Sequence, residues 1–343
     1  MKFDEEYYKE VIKKYNYNPL LFNKIDFQLP GISKNEMQLM WLCSYHSLKN
    51  RKVNCENTLF TTGIGLSGVP HMGTISQIIR AIKLQRGGNK VQIVLGDIDA
   101  YTGRHISWTQ TQHLKEKYRN FILKLGFNSQ TGILRAQSDK SVFLTQAKIA
   151  GYFKDEIADE SEEDLHDLYV KDNKVESKMT FNRKYSLSLM CADFIEPLLM
   201  DNFTNIVVFL GLDEHKYVRA SKQVMDLMKQ EFKVLDSKKI YALYSPLIRG
   251  FNGFPKMSKS FTESSLSIQN TPFEIEHKIM NKKEDEMPLQ LNVNYQLMKG
   301  LMDISEEKAK QVHSDYKNQN VGWIVDKEEL LKRVIEIRDM WYE

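Results

Sequence analysis

A histidine behind a glycine-rich turn and two lysines in a distant pentapeptide are the groups in this chain best suited to handling phosphate. Gly63-Ile64-Gly65-Leu66-Ser67-Gly68 follows the β-prone run Leu59-Phe60-Thr61-Thr62 and places three glycines in six positions. Pro70-His71-Met72-Gly73-Thr74 then opens a segment with Ile75, Ile78, Ile79 and Ile82 on one helical face. Strand, glycine turn and helix in that order bring backbone N–H groups and a helix N-terminus to one spot, which suits phosphate. Glycine is needed there because any side chain would hold a ligand off the backbone. Taken alone, the stretch equally fits an ordinary βαβ turn that contains a histidine. The pentapeptide Lys256-Met257-Ser258-Lys259-Ser260, taken alone, fits a solvated loop.

The surrounding pattern places both groups on one kind of scaffold. Gly87-Gly88 stops the first helix, and Val91 to Leu95 is a second buried strand. Gly96-Asp97-Ile98-Asp99 lies at the carboxyl end of that strand, where open parallel sheets bind ligands. Asp97 or Asp99 can hold an ammonium group there, or can cap the next helix. That helix, Trp108 to Leu125, buries Leu114, Tyr118, Phe121, Ile122 and Leu125 and ends at Gly126. Tyr185 to Leu199 is helical and carries Met190-Cys191-Ala192-Asp193. Asn205 to Leu210 is a strand with Gly211-Leu212-Asp213-Glu214-His215 at its carboxyl end, followed by a helix from Lys216 to Phe232. Strand Ile240 to Leu243 leads to the lysine pentapeptide. The polar clusters therefore fall on the same sheet edge as the glycine turn.

The expected fold is α/β: a doubly wound, parallel-sheet (Rossmann-like) nucleotide-binding domain with an insertion and a smaller C-terminal helical domain. Residues 1–55 form an N-terminal extension with helices over Glu5 to Lys14 and Lys34 to Leu48. Residues 56–272 form the catalytic domain, interrupted by an insertion over 136–184, and 273–343 form the helical end. The acidic run Asp159-Glu160-Ser161-Glu162-Glu163-Asp164, with Asp167, is solvated surface rather than a metal site.

Composition limits the partners. The chain has 343 residues, of which 42% are hydrophobic and 27% charged, as in a globular protein with a substantial core. A net charge of +3 permits a polyanionic partner and confines any RNA contact to a local patch. Cys43, Cys55 and Cys191 are far apart and form no metal-type pair, which points to a reducing compartment. With no apolar run of membrane-spanning length and no signal-like N-terminus, a cytoplasmic location is expected.

Taken together, Pro70-His71-Met72-Gly73-Thr74 and Lys256-Met257-Ser258-Lys259-Ser260 resemble the His-Ile-Gly-His and Lys-Met-Ser-Lys-Ser pair of class I aminoacyl-tRNA synthetases. Thr62-Gly63-Ile64-Gly65-Leu66-Ser67-Gly68 is similar to the Thr-Gly-x-x-Pro-Ser-Gly turn of the tryptophanyl members. Met190-Cys191-Ala192-Asp193 resembles their Met-Ala-Ala-Asp, and Gly211-Leu212-Asp213-Glu214 their Gly-x-Asp-Gln. The resemblance implies activation of an amino acid, tryptophan first, by ATP with Mg²⁺, and transfer to tRNA. It assigns catalysis to His71, Lys256 and Lys259, and nucleotide binding to Gly63, Gly65, Gly73, Thr74, Asp213, Met257 and Ser258. Met190, Asp193 and Glu214, with Asp97 and Asp99, would hold the amino acid. No resident protein-bound metal is implied, and the insertion implies a homodimer.

Several positions depart from the family pattern. Leu66 stands where proline is usual, and Thr74 where His or Asn is usual. Ser186-Leu187 replaces a Tyr-Pro, and Glu214 replaces a Gln. The chain after the lysine loop is short for a helical anticodon-binding region. Three alternatives therefore stand beside a tRNA-charging enzyme. One is a paralogue that activates an amino acid, or uses aminoacyl-tRNA, in a biosynthetic pathway without normal anticodon recognition. Another is a nucleotidylyltransferase, and the last a non-catalytic tRNA-binding or regulatory protein.

Overall fold

The computed structural model describes residues 5–21, 25, 27–45, 56–139, 142–161, 170–171, 178–200, 203–259 and 261–343. Cys55, Ser260, Glu162-Glu163-Asp164 and Asp167 lie outside the described residues.

Seven strands form one sheet: β1 (Asn18–Pro19), β2 (Cys43–Tyr45), β3 (Thr58–Gly65), β4 (Lys90–Gly96), β5 (Ile133–Ala136), β6 (Asn205–Gly211) and β7 (Lys239–Ser245). Their order is β1-β2-β7-β6-β3-β4-β5. The five strands β3 to β7 pair in parallel, whereas β1 and β2 add an antiparallel edge beside β7. Strand order reverses between β3 and β6, so the crevice at their carboxyl ends is the expected ligand site of a doubly wound sheet.

The first helices along the chain are α1 (Glu5–Lys14), α2 (Lys34–Met40), α3 (Met72–Arg86), α4 (Asp97–Gly103), α5 (Trp108–Lys124), α6 (Val142–Ala150) and α7 (Asp155–Asp159). They continue with α8 (Phe181–Leu199), α9 (His215–Met228), α10 (Pro272–Ile279), α11 (Val293–Leu301), α12 (Glu306–Asn318) and α13 (Val321–Tyr342). Side-chain alternation along the strands feeds two apolar layers. Phe60 and Ile64 of β3 join α3, α5 and the C-terminal helices in one layer. Leu59, its neighbour on β3, joins α1, α8 and α9 in the other.

Two boundaries differ from expectation in ways that matter for the site. β3 runs through Gly65, so Gly63 and Gly65 end the strand instead of forming the turn. The expected helix Lys34 to Leu48 stops at Met40, because Trp41 is extended (φ −132°, ψ 150°) and Cys43–Tyr45 pairs with Ala242–Tyr244. Of that expected helix, 46–48 lie outside the described residues. A short helix, α4, begins at Asp97 itself, and α5 is capped by the Ser107 side chain, so neither Asp97 nor Asp99 caps α5.

Candidate active site

Three backbone features build the floor of the cleft. β3 delivers two solvent-facing glycines, and a Cβ on Gly63 would meet nothing within 4 Å, so that face stays open. The chain then turns through Leu66, which is buried, and enters α3 with His71 as N-cap. The His71 ring accepts from the Thr74 backbone N–H through Nδ1 at 3.3 Å. That acceptor role assigns the ring proton of the neutral imidazole to Nε2, which lies 3.4 Å from the Thr74 hydroxyl. Gly73 is glycine for a steric reason: a Cβ there would lie 3.0 Å from the His71 ring.

The lysine loop closes on this turn from the far end of the sheet. The Met72 N–H donates to the Leu266 carbonyl at 2.7 Å, and His71 bridges to Ser267. Met257 is buried and its N–H donates to the Ile248 carbonyl at 2.9 Å. The Ser265 hydroxyl receives the Ser258 N–H and donates to the Ser258 carbonyl, each at 2.9 Å. These bonds present both lysines to the cleft. Lys259 donates to the Gly65 carbonyl, its ammonium 5.3 Å above the Tyr118 ring, and Lys256 pairs with Asp213.

The result is one cavity of about 740 Å³ at the carboxyl ends of β3 and β6. Its wall includes Gly63, Gly65, His71, Gly73, Thr74, Asp99, Met190, Asp193, Asp213, Glu214, Lys256, Met257, Ser258 and Lys259. The two distant segments thus share a single cleft.

Asp97 is the exception. It is fully buried behind the cleft and does not line it. Its carboxylate accepts from the Ser138 hydroxyl and backbone N–H, and from Gln112 at 3.3 Å, with the Lys115 ammonium 3.9 Å away. Asp97 is a structural acceptor that ties α4 to α5 and to the end of β5. Asp99, two residues on, faces the cavity and accepts from Ser186.

Charge in the cleft is held under tension. Burial pushes His71 down to about 3, helped by the nearby Lys259 and Lys256 cations, so the imidazole is neutral at ordinary pH. Burial, then Arg104, push Lys259 down to about 7, against Asp99 and Glu214, which favour its charged form. Burial also pushes the Asp193 carboxyl up, opposed chiefly by Arg135.

Several residues in the wall, and Arg135 behind it, carry no local sequence signal. Arg135 donates to Asp193 at 2.7 Å and Gln137 donates to its other oxygen at 2.8 Å. Arg104, Gln77 and Arg80 also reach the cavity. Gln137 follows β5 at the same sheet edge as the other polar clusters, and that position was the only available clue to it. Among the described residues, no group of three or more His, Cys, Asp or Glu side chains can hold a metal ion. Likewise, no described helix is long and apolar enough to cross a membrane.

Residues 53–342 match the family model of class I tRNA synthetases of the W and Y type. The chain belongs to this family. A curated tryptophan–tRNA ligase of Archaeoglobus fulgidus is 25% identical over 169 residues, 48% of this chain and 37% of that one. The match therefore spans little more than a third of the relative's length. The tryptophanyl-tRNA synthetase of Aeropyrum pernix superposes with a TM-score of 0.75 at 14% identity, covering 98% of this chain and 96% of its own. The tyrosyl-tRNA synthetase of Archaeoglobus fulgidus, complexed with L-tyrosine, gives 0.66 at 14% identity, covering 97% and 99%. At these identities the superpositions establish a shared fold. This class I synthetase fold serves both a tryptophan and a tyrosine enzyme, so choice of side chain falls to the pocket residues.

Proposed function

We propose that this synthetase-family chain activates an amino acid, tryptophan first, as its adenylate and transfers it to tRNA. The observation that carries this reading is the convergence of His71, Lys256 and Lys259 with Asp213 and Glu214 on one cleft at the sheet's switch point. In the first step a carboxylate oxygen of the amino acid attacks the α-phosphorus of ATP. The bond from that phosphorus to the bridging oxygen breaks, and pyrophosphate leaves with the electron pair. In the second step a ribose hydroxyl at the tRNA end attacks the activated carbonyl, and AMP leaves.

Substrate supplies the nucleophile, so the protein's work is positioning and charge compensation. The neutral His71 donates from Nε2 to phosphate oxygens as charge spreads. Lys256 and Lys259 face the departing pyrophosphate from a loop whose backbone is anchored at Met257 and Ser258, a design suited to closing over it. Asp213 receives the ribose hydroxyls beside Lys256, and the open faces of Gly63 and Gly65 admit the adenosine, with Gly73 and Thr74 at the helix start. Glu214 and Asp99 hold the substrate ammonium, replacing the tyrosine hydroxyl missing at Ser186. Met190 packs on the side chain. Mg²⁺ would accompany ATP as a hard, oxygen-seeking cation and would add charge neutralisation beside Lys256 and Lys259.

Asp193 bears on side-chain choice. A carboxylate offers about four lone-pair sites, and Arg135 and Gln137 occupy two. An indole N–H can take a third, and so can a phenol, which favours tyrosine as the second substrate reading. The test is amino-acid-dependent ATP–pyrophosphate exchange across all twenty amino acids, then acylation of total tRNA. Tryptophan-dependent exchange with acylation supports the proposal. Exchange without acylation moves the activity to another acceptor, and no exchange with any amino acid removes it. Sedimentation of the intact chain tests the homodimer that the family resemblance implies.

A further inference from the structure

A second cavity, of about 570 Å³, lies on the far side of α3, between that helix, α2, α11 and α13. Its charge is one-sided. Arg80, Lys83, Arg86, Lys299 and Arg333 line it, against the carboxylates of Glu36 and Asp303. Both acids are committed to the same cation: Lys83 binds Glu36 at 3.0 Å and Asp303 at 2.6 Å. No carboxylate among the described residues bonds Arg80 or Lys299.

Those two cations stand on facing helices and feel each other's charge, Arg80 buried and Lys299 half-buried. Arg80 is only 9% exposed; its Nη1 donates to Ser245 at 3.3 Å, while its Nε is buried with no hydrogen-bond partner. Lys299 rests its ammonium 4.7 Å above the Tyr295 ring. The backbone forces the proximity, because α11 presses against α3 at Gly300, where a Cβ would collide with Ser76. Burial, then the neighbouring Arg80, lower Lys299 to about 8, and burial lowers Arg80 to about 10. Two like charges held together out of water are costly unless an anion lies between them. The lining also includes the apolar side chains of Leu39, Met40, Ile79, Ile82, Leu301 and Ile304.

We propose that this second cavity is a binding site for a small anion with an apolar body, its phosphate or carboxylate held between Arg80 and Lys299. The class follows from the lining, which combines cations able to make charge-assisted bonds with hydrocarbon. The site is separate from the nucleotide cleft, although Arg80 borders both.

The test uses phenyl phosphate as probe, titrated calorimetrically into the intact chain with and without a saturating non-hydrolysable ATP analogue. The wild type is expected to bind the probe in both conditions, and to bind it more weakly as salt rises. Lys299→Gln should weaken binding at least about tenfold, as loss of one partner of a desolvated charge pair does, while Lys299→Arg retains it. Basal pyrophosphate exchange in Lys299→Gln should match the wild type, and its thermal unfolding shows whether the fold survives. Arg80→Gln supplies a second, independent loss of binding. Unchanged affinity in Lys299→Gln, complete displacement of the probe by the ATP analogue, or no binding by the wild type at millimolar probe would each overturn the site. The measurement does not need the chain to charge tRNA, so it can fail or succeed independently of the proposed activity.

Discussion

The glycine turn and the lysine loop face each other across one cleft and are built differently. His71 stands on a strand–turn–helix whose flanking residues Leu66 and Met72 are completely buried, so the imidazole is placed by the core. Lys256 and Lys259 stand on a loop pinned by Met257, by the Ser258–Ser265 pair and by side-chain contacts to Asp213 and Gly65. One side is a fixed instrument and the other an adjustable one. In the proposed reaction, positioning would fall to the first and compensation of a moving charge to the second.

Four expectations press on that contrast, in falling order of effect. His71→Ala and Lys259→Ala should each slow pyrophosphate exchange about a hundredfold, or about 3 kcal/mol. Both should leave the thermal midpoint nearly unchanged, and wild-type exchange in either variant would dismiss that group's role. The two aspartates behind the turn should separate cleanly. Asp97→Ala strands Ser138 and Lys115 and should cost about 2 kcal/mol of stability, read as a lower urea midpoint. Asp99→Asn should instead raise the amino-acid KM with little change in that midpoint. Equal stability losses in the two variants would erase the distinction.

Gly73→Ala tests the fixed side alone. The new methyl crowds the His71 ring and should lower exchange about tenfold, yet alanine suits the first turn of a helix better than glycine, so unfolding should not come earlier. The mildest effect is that of pH. Lys259 loses its proton as pH rises through about 7, so kcat/KM for ATP should fall between pH 6 and pH 8, by at most about tenfold. Bound triphosphate favours the charged lysine, so kcat should fall less. His71, already neutral throughout that range, adds no inflection, and Lys259→Arg should flatten the profile.

Local signals made much of this visible in the amino-acid sequence. The short β-branched runs at 59–62, 91–95 and 205–210 are strands because a parallel sheet covered on both faces demands them. The cleft motifs were legible because phosphate chemistry restricts residue type and spacing. What escaped was non-local. Arg135 meets Asp193 across 58 residues, a contact that no window along the chain contains. Arg80 looks like a polar position on a helix until α11 closes over it. The helix expected to run from Lys34 to Leu48 was cut short by pairing with β7, a tertiary preference that outweighs local propensity. Asp97 and Asp99 were indistinguishable by type, and only the path of α4 sends one inward and the other to the cleft.

The antiparallel edge has a consequence for how the molecule is made. Cys43–Tyr45 pairs with Asn18–Pro19 on one side and with Ala242–Tyr244 on the other, and the Tyr17 hydroxyl meets His215 across 198 residues. During synthesis this two-stranded edge must therefore wait to join the sheet until β7 has left the ribosome. An edge made early is completed only by a strand made late.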